Sequence, residues 1–170
     1  MNLKLSACCI VFFCLSGCNL QNVKQSGTDL EKIVQVEQQA RSAYQNEDWQ
    51  TAEQAYLELT RLAPAQAEPW FRLGNIYART DRLDAAVSAY RNTLLRNNDY
   101  SKAWHNLGIV HLRQATTTFK DMLQHTGKDD PLNQRAIHVV NSVSDMMASG
   151  FETADETEPP EMINPEHPDN

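Results

Sequence analysis

Two stretches decide how this chain folds: Trp70-Phe71-Arg72-Leu73-Gly74-Asn75-Ile76-Tyr77 and, 34 residues later, Trp104-His105-Asn106-Leu107-Gly108-Ile109-Val110-His111. Trp, Leu and Gly recur in register, and His111 takes the slot of Tyr77. Ala52 and Tyr56 recur at the same offset as Ala86 and Tyr90. A fixed period of this length means stacked supersecondary units, here pairs of amphipathic helices. The small residues Ala52, Gly74, Ala86 and Gly108 stand where neighbouring helices approach closely. Tyr56, Trp70, Tyr77 and Tyr90 fill the space between layers. Such a unit cannot bury its apolar faces alone; stacked neighbours bury them.

The pattern W-x₂-L-G-x₂-Y…A-x₃-Y resembles the tetratricopeptide repeat, which implies an all-α, short helical-hairpin solenoid of about 2.5 repeats. The first repeat spans 33–66, with a turn at Asn46-Glu47-Asp48, and the second spans 67–100, with Pro69 in its first turn and a turn at Thr80-Asp81-Arg82. The first departs from the signature, having Val36, Gln39 and Ala40 where Trp, Leu and Gly would stand. In the third unit, Ala115-x₃-Phe119-x₂-Met122 restores the second-helix pattern only if five residues of the inter-helix turn are missing. Without Gly, Pro or Asn between Ile109 and Gln124, one long helix is expected over 101–124, ending before Gly127. A kink at Thr116-Thr117-Thr118 is the alternative, since Thr is a poor helix former.

Asp130-Pro131 announces a further helix, an N-cap followed by Pro at the first helical position. Its apolar stripe of Leu132, Ala136, Val139, Val143 and Met146 makes it the expected cap of the stack, ending near Gly150.

The chain has 170 residues, and its N-terminus reads as a targeting segment. Lys4 precedes an apolar run from Leu5 to Leu15, too short to span a bilayer and suited to a signal peptide. Leu15-Ser16-Gly17-Cys18 resembles a bacterial lipobox. That resemblance implies cleavage of residues 1–17 and a diacylglycerol thioether on Cys18, with a further acyl chain such as palmitate on its amine. Cys8, Cys9 and Cys14 would leave with the signal, so no disulfide is expected. Asn19, rather than Asp, then implies sorting to the outer membrane, facing the periplasm. Residues 18–32 read as a lipid-anchored, flexible tether, 33–149 as the helical domain and 150–170 as a disordered acidic tail rich in Pro and lacking Lys and Arg.

The formal net charge of −7 argues against nucleic-acid binding. It is carried by the C-terminal end, because basic and acidic groups balance between 18 and 135. No Gly-rich phosphate loop, G-x-S-x-G or H-E-x-x-H is present, no histidines pair at i, i+4, and no enzyme, metal or cofactor is expected. His111 is expected to be packed in the core.

Members of the resembled family bind peptides in a groove lined by first helices. Carried over residue by residue, that implies Arg41 and Tyr44, then Phe71, Arg72, Asn75 and Arg79, then Lys102, His105, Asn106, Ile109 and Arg113. Arginine forks suit carboxylates, and Asn side chains suit an extended backbone. The set resembles in part the carboxylate clamp of chaperone-binding members, with Glu37 where a cation would stand. The acidic tail is a second candidate ligand for this basic face. The resulting expectation is an outer-membrane lipoprotein adaptor recruiting an envelope protein segment during pilus or secretion-machinery assembly. The alternatives are an adaptor for cell-wall enzymes and a structural homo-oligomeric scaffold.

Overall fold

Glu47 and Asp81, one repeat apart, both adopt left-handed backbone, with φ of 57° and 58°, and the chain reverses at each. The computed structural model describes residues 18–148, with side chains from Asp29 onward. The helices are α1 (Cys18–Gln45), α2 (Trp49–Leu62), α3 (Glu68–Arg79), α4 (Leu83–Arg96), α5 (Ser101–His125) and α6 (Pro131–Ala148). The stretches read from sequence as a signal peptide and an acidic tail lie outside the described residues. So does the side chain of Cys18.

Both expected hairpins form, α1 with α2 and α3 with α4. At the first turn Asp48 caps α2 by accepting from the Thr51 amide at 3.1 Å. At the second, Arg82 holds the equivalent place and instead grips Glu53 of α2 through both carboxylate oxygens, at 3.0 and 2.7 Å. Its guanidinium also lies over the Tyr77 ring at 4.5 Å. Within the second hairpin Tyr90 packs directly over Gly74. A Cβ on that glycine would lie 2.9 Å from Tyr90 Cζ and closer still to the ring edge.

The third turn would fall at Ala115, one repeat beyond Asp81. A left-handed alanine costs about 1–2 kcal/mol, and no neighbouring residue favours a turn, so the helix continues through. Thr116, Thr117 and Thr118 send their hydroxyls to the carbonyls of Leu112, Arg113 and Gln114, and helix α5 runs unbroken past them.

Two expectations about the ends are corrected. The segment 18–32, read as a flexible tether, is helical from Cys18 onward as the first half of α1. No proline interrupts it, and one internal glycine, Gly27, costs only about 1 kcal/mol relative to Ala. Helix α6 begins as expected, with Asp130 Oδ1 accepting from the Leu132 amide at 2.8 Å. It packs on α5 alone through Asn133 and Ala136, however, and Leu132 remains 52% exposed. Because α5 extends about three turns beyond a normal first helix, α6 covers its C-terminal half instead of closing the stack.

Gly74 and Gly108 hold the same repeat position in opposite surroundings, since Gly108 has nothing within 4 Å of a would-be Cβ. Chemical denaturation in dilute solution therefore separates them. Gly74→Ala loses about 1–3 kcal/mol through overpacking against Tyr90. Gly108→Ala gains up to about 1 kcal/mol from helix propensity. Equal effects at the two positions would contradict the open third unit.

Candidate functional site

The first helices of the three units are α1, α3 and α5, and the eleven expected groove residues divide among them into three groups. Four are sealed. Phe71 is 1% exposed and packs against Tyr90 and Tyr100, with ring centroids 6.0 and 4.8 Å away. Ile109 is equally buried. Asn75 and Asn106 are buried together: Asn75 Oδ1 accepts from the Tyr90 hydroxyl at 2.7 Å and from Asn106 Nδ2 at 3.0 Å. These four were expected on a ligand-facing surface. The structure corrects this, because α5 lies over that side of α3 and converts it to core.

Three arginines are engaged at home. Arg41 pairs with Glu37 one turn back in α1. Arg72 donates Nε to Glu68 at 2.6 Å and covers the Tyr44 ring at 5.3 Å. Arg113 reaches across the repeat boundary, donating to the Ala78 carbonyl at 2.8 Å and to Asp81 Oδ1 at 2.9 Å. It staples α5 to the second turn, so its first role is structural.

Arg79, Lys102, His105 and part of Tyr44 remain accessible. Tyr44 makes edge-on contacts with Trp49 and Tyr56, at centroid distances of 5.3 and 6.2 Å. Arg79 sits over the Trp49 ring at 5.5 Å. The first-helix side is thus narrower and less basic than the sequence implies, with Arg79 over an aromatic floor of Tyr44 and Trp49 and a partly exposed Lys102 on α5. Glu37–Arg41 and Glu68–Arg72 are i, i+4 pairs, so their mutual neutralisation was readable from spacing. The Arg113–Asp81 link spans repeats and was not.

Sequence reasoning placed His111 in the core, and the structure corrects that too. His111 is exposed beside Gln114, its Nδ1 lying 3.1 Å from Oε1. It lines an open groove of about 650 Å³ between α4 and α5, together with Leu94, Leu95, Trp104, Leu107 and Gly108. Trp104 is 53% exposed there, although its counterpart Trp70 is largely covered. The available signal was the absent second helix of the third unit.

Residues 37–101 match the family model of the tetratricopeptide repeat, a stretch that covers α2, α3, α4 and the C-terminal part of α1. The fold is a tetratricopeptide-like helical-hairpin solenoid. Among solved structures, the TPR2B domain of yeast Sti1 in its complex with pHsp70 resembles it with a TM-score of 0.48 and 13% identity, over 68% of this chain and 98% of that one. No curated protein matches the chain. The tetratricopeptide match stops where α5 begins, the point at which the hairpin pattern gives way to the continuous helix.

Burial holds the repeat tyrosines neutral. It pushes Tyr56 from 10.0 up to about 12 and raises Tyr77, Tyr90 and Tyr100 as well, the last helped by its hydrogen bond to Glu68. A phenol whose folded value lies above its unfolded one stabilises the fold fully below the unfolded value and stops doing so as pH rises through the folded one. Melting temperature should accordingly show no tyrosine-linked loss up to pH 9, then fall between pH 10 and 12. Phenolate absorbance should rise together with unfolding. Full ionisation of Tyr56, Tyr77, Tyr90 and Tyr100 near pH 10 in a folded chain would contradict this burial.

Proposed function

We infer that the chain is a lipid-anchored protein-interaction adaptor of the bacterial outer membrane, facing the periplasm and recruiting a protein segment during assembly of an envelope machine such as a pilus or secretion apparatus. The observation that carries the adaptor reading is the first-helix face. It presents an exposed Arg79 over the Trp49 ring, the Tyr44 ring beside that tryptophan, and partly exposed Lys102 and His105 on the next unit of an interaction-type repeat. The described residues contain no grouping of three or more His, Cys, Asp or Glu suited to a metal ion.

A segment bound there would be extended and mildly acidic. Exposed ion pairs contribute only about 0–1 kcal/mol, so a ligand carboxylate can take Arg41 from Glu37 at small cost. Arg113 is different, since half of its bonding is to a backbone carbonyl that a ligand would leave unsatisfied. The ligand therefore reads Arg79 and Lys102 first.

The anchor rests on the Leu15-Ser16-Gly17-Cys18 motif, and no helix among the described residues is long and apolar enough to cross a membrane. Lipid on Cys18 would hold the helical domain at the membrane and raise the local concentration of whatever it binds.

Fractionation tests the anchor: Cys18→Ala should move the protein from the membrane to the soluble fraction, and full membrane retention would refute it. Photo-crosslinking in cells from position 102 or 105 tests the adaptor. The expected capture is an envelope-assembly protein, weakened by Arg79→Glu or Lys102→Glu by up to about fivefold each. Capture of cell-wall enzymes instead would reassign the pathway. No capture from either position would refute the groove.

A further inference from the structure

The open groove between α4 and α5 has a filled counterpart one repeat earlier. A shift of 34 residues carries Asn98, Trp104 and Gly108 back onto Pro64, Trp70 and Gly74. On that earlier seat lies α4. Its Tyr90 covers Gly74, and its Arg96 stacks on Trp70 at 4.8 Å while donating Nε to the Pro64 carbonyl at 2.6 Å. The later seat has the same floor and no helix above it among the described residues. Gly108 faces open space, Trp104 turns its Nε1 to the Asn98 carbonyl at 2.8 Å, and Leu95 is 81% exposed.

The seat dictates what fits. Its occupant must resemble α4, a helix of 14 residues with Leu83, Ala86, Tyr90 and Leu94 on its inner side. This chain contains that helix a second time: Leu112, Ala115, Phe119 and Leu123 repeat the spacing, and His125 falls where Arg96 stands over its tryptophan. Yet the segment is fused to the seat as the second half of α5. At about 1.5 Å rise per residue, Phe119 stands about 16 Å along the axis from Gly108 and cannot fold back onto it. Ala115 is exposed, and Phe119 and Leu123 are only half-buried beside α6. The chain thus carries both halves of a helix–helix contact and cannot close it on itself.

We propose that a second copy of this chain closes it. Residues 112–125 of one α5 lie on the Trp104–Gly108 face of the other, and the reverse contact forms at the same time. The two helices run antiparallel about a two-fold axis near Arg113, with Phe119 of each copy over Gly108 of the partner. Such a contact is isologous and closes at two copies, with no free edge for further growth. The N-terminal end of another solenoid does not fit the seat. Helix α1 is a first-type helix, and its Val36 and Ala40, at the floor positions of Trp and Gly, are already buried in the core of its own hairpin. The dimer surface is separate from the Arg79–Lys102–His105 face, so pairing and partner capture are independent.

The test uses the full chain in cells, with a photoreactive phenylalanine in place of Trp104. The expected product runs at twice the chain mass, and its peptide map joins position 104 to residues 112–125. Gly108→Ala should reduce that product at least tenfold while leaving the monomer's denaturation midpoint unchanged or higher, because the added methyl meets only the partner's ring. The proposal is overturned by absence of the double-mass product, by a map joining position 104 to residues 149–170, by adducts with other proteins alone, or by a product insensitive to Gly108→Ala.

Discussion

One buried oxygen ties the middle of this molecule together. Asn75 Oδ1 receives the Tyr90 hydroxyl from α4 and the Asn106 amide from α5, joining three helices at a single acceptor. Tyr90 can donate there only because Gly74 lets its ring lie against the α3 backbone. An unpaired buried amide or hydroxyl costs about 1–3 kcal/mol, so the three partners fix one another's positions. Around that point the repeat boundary is held by bonds reaching one repeat along the chain: Arg96 to the Pro64 carbonyl, Tyr100 to Glu68, and Arg113 to the Ala78 carbonyl and Asp81. These are what convert two hairpins and a long helix into one solenoid.

The same geometry explains why the end of the solenoid stays open. A tetratricopeptide-like unit buries its Trp, Leu and Gly face only when its second helix folds back, and folding back requires a left-handed residue at the turn. Glu47 and Asp81 meet that requirement. Ala115 does not, and α5 continues. Trp104, Leu95 and Gly108 therefore remain on the surface as a prepared seat, while the segment able to fill it is carried away along the helix axis. Arg113, at the junction of the two halves of α5, is anchored to the second turn, so the direction of the outgoing segment is fixed by the preceding repeat.

Much of this was legible in the sequence because it is local. The period, the turns at Asn46–Asp48 and Thr80–Arg82, the unbroken α5 and the Asp130-Pro131 start of α6 depend on residues within a few positions of one another. The groove was not legible in the same way. Whether Phe71, Asn75, Asn106 and Ile109 face a ligand or the core depends on how closely α5 lies over α3, a contact between segments about thirty residues apart. His111 was misplaced for a related reason: its register matches Tyr77, but the helix that buries Tyr77 has no counterpart above His111. A repeat signature specifies which face should be buried, and only the three-dimensional arrangement shows whether something is there to bury it.

The functional account thus has two surfaces with separate physics, a narrow cationic and aromatic strip on the first-helix side and an apolar seat at the C-terminal end of the repeats. The claim on which the second depends is that the third unit is open. Tryptophan fluorescence tests it most directly, in a full-length chain carrying Trp49→Phe and Trp70→Phe so that Trp104 alone emits. At high dilution the account predicts red-shifted emission readily quenched by iodide, moving to shielded, blue-shifted emission as concentration rises. Blue-shifted, unquenched emission at the highest dilution would show the seat already filled within one chain and would contradict the account.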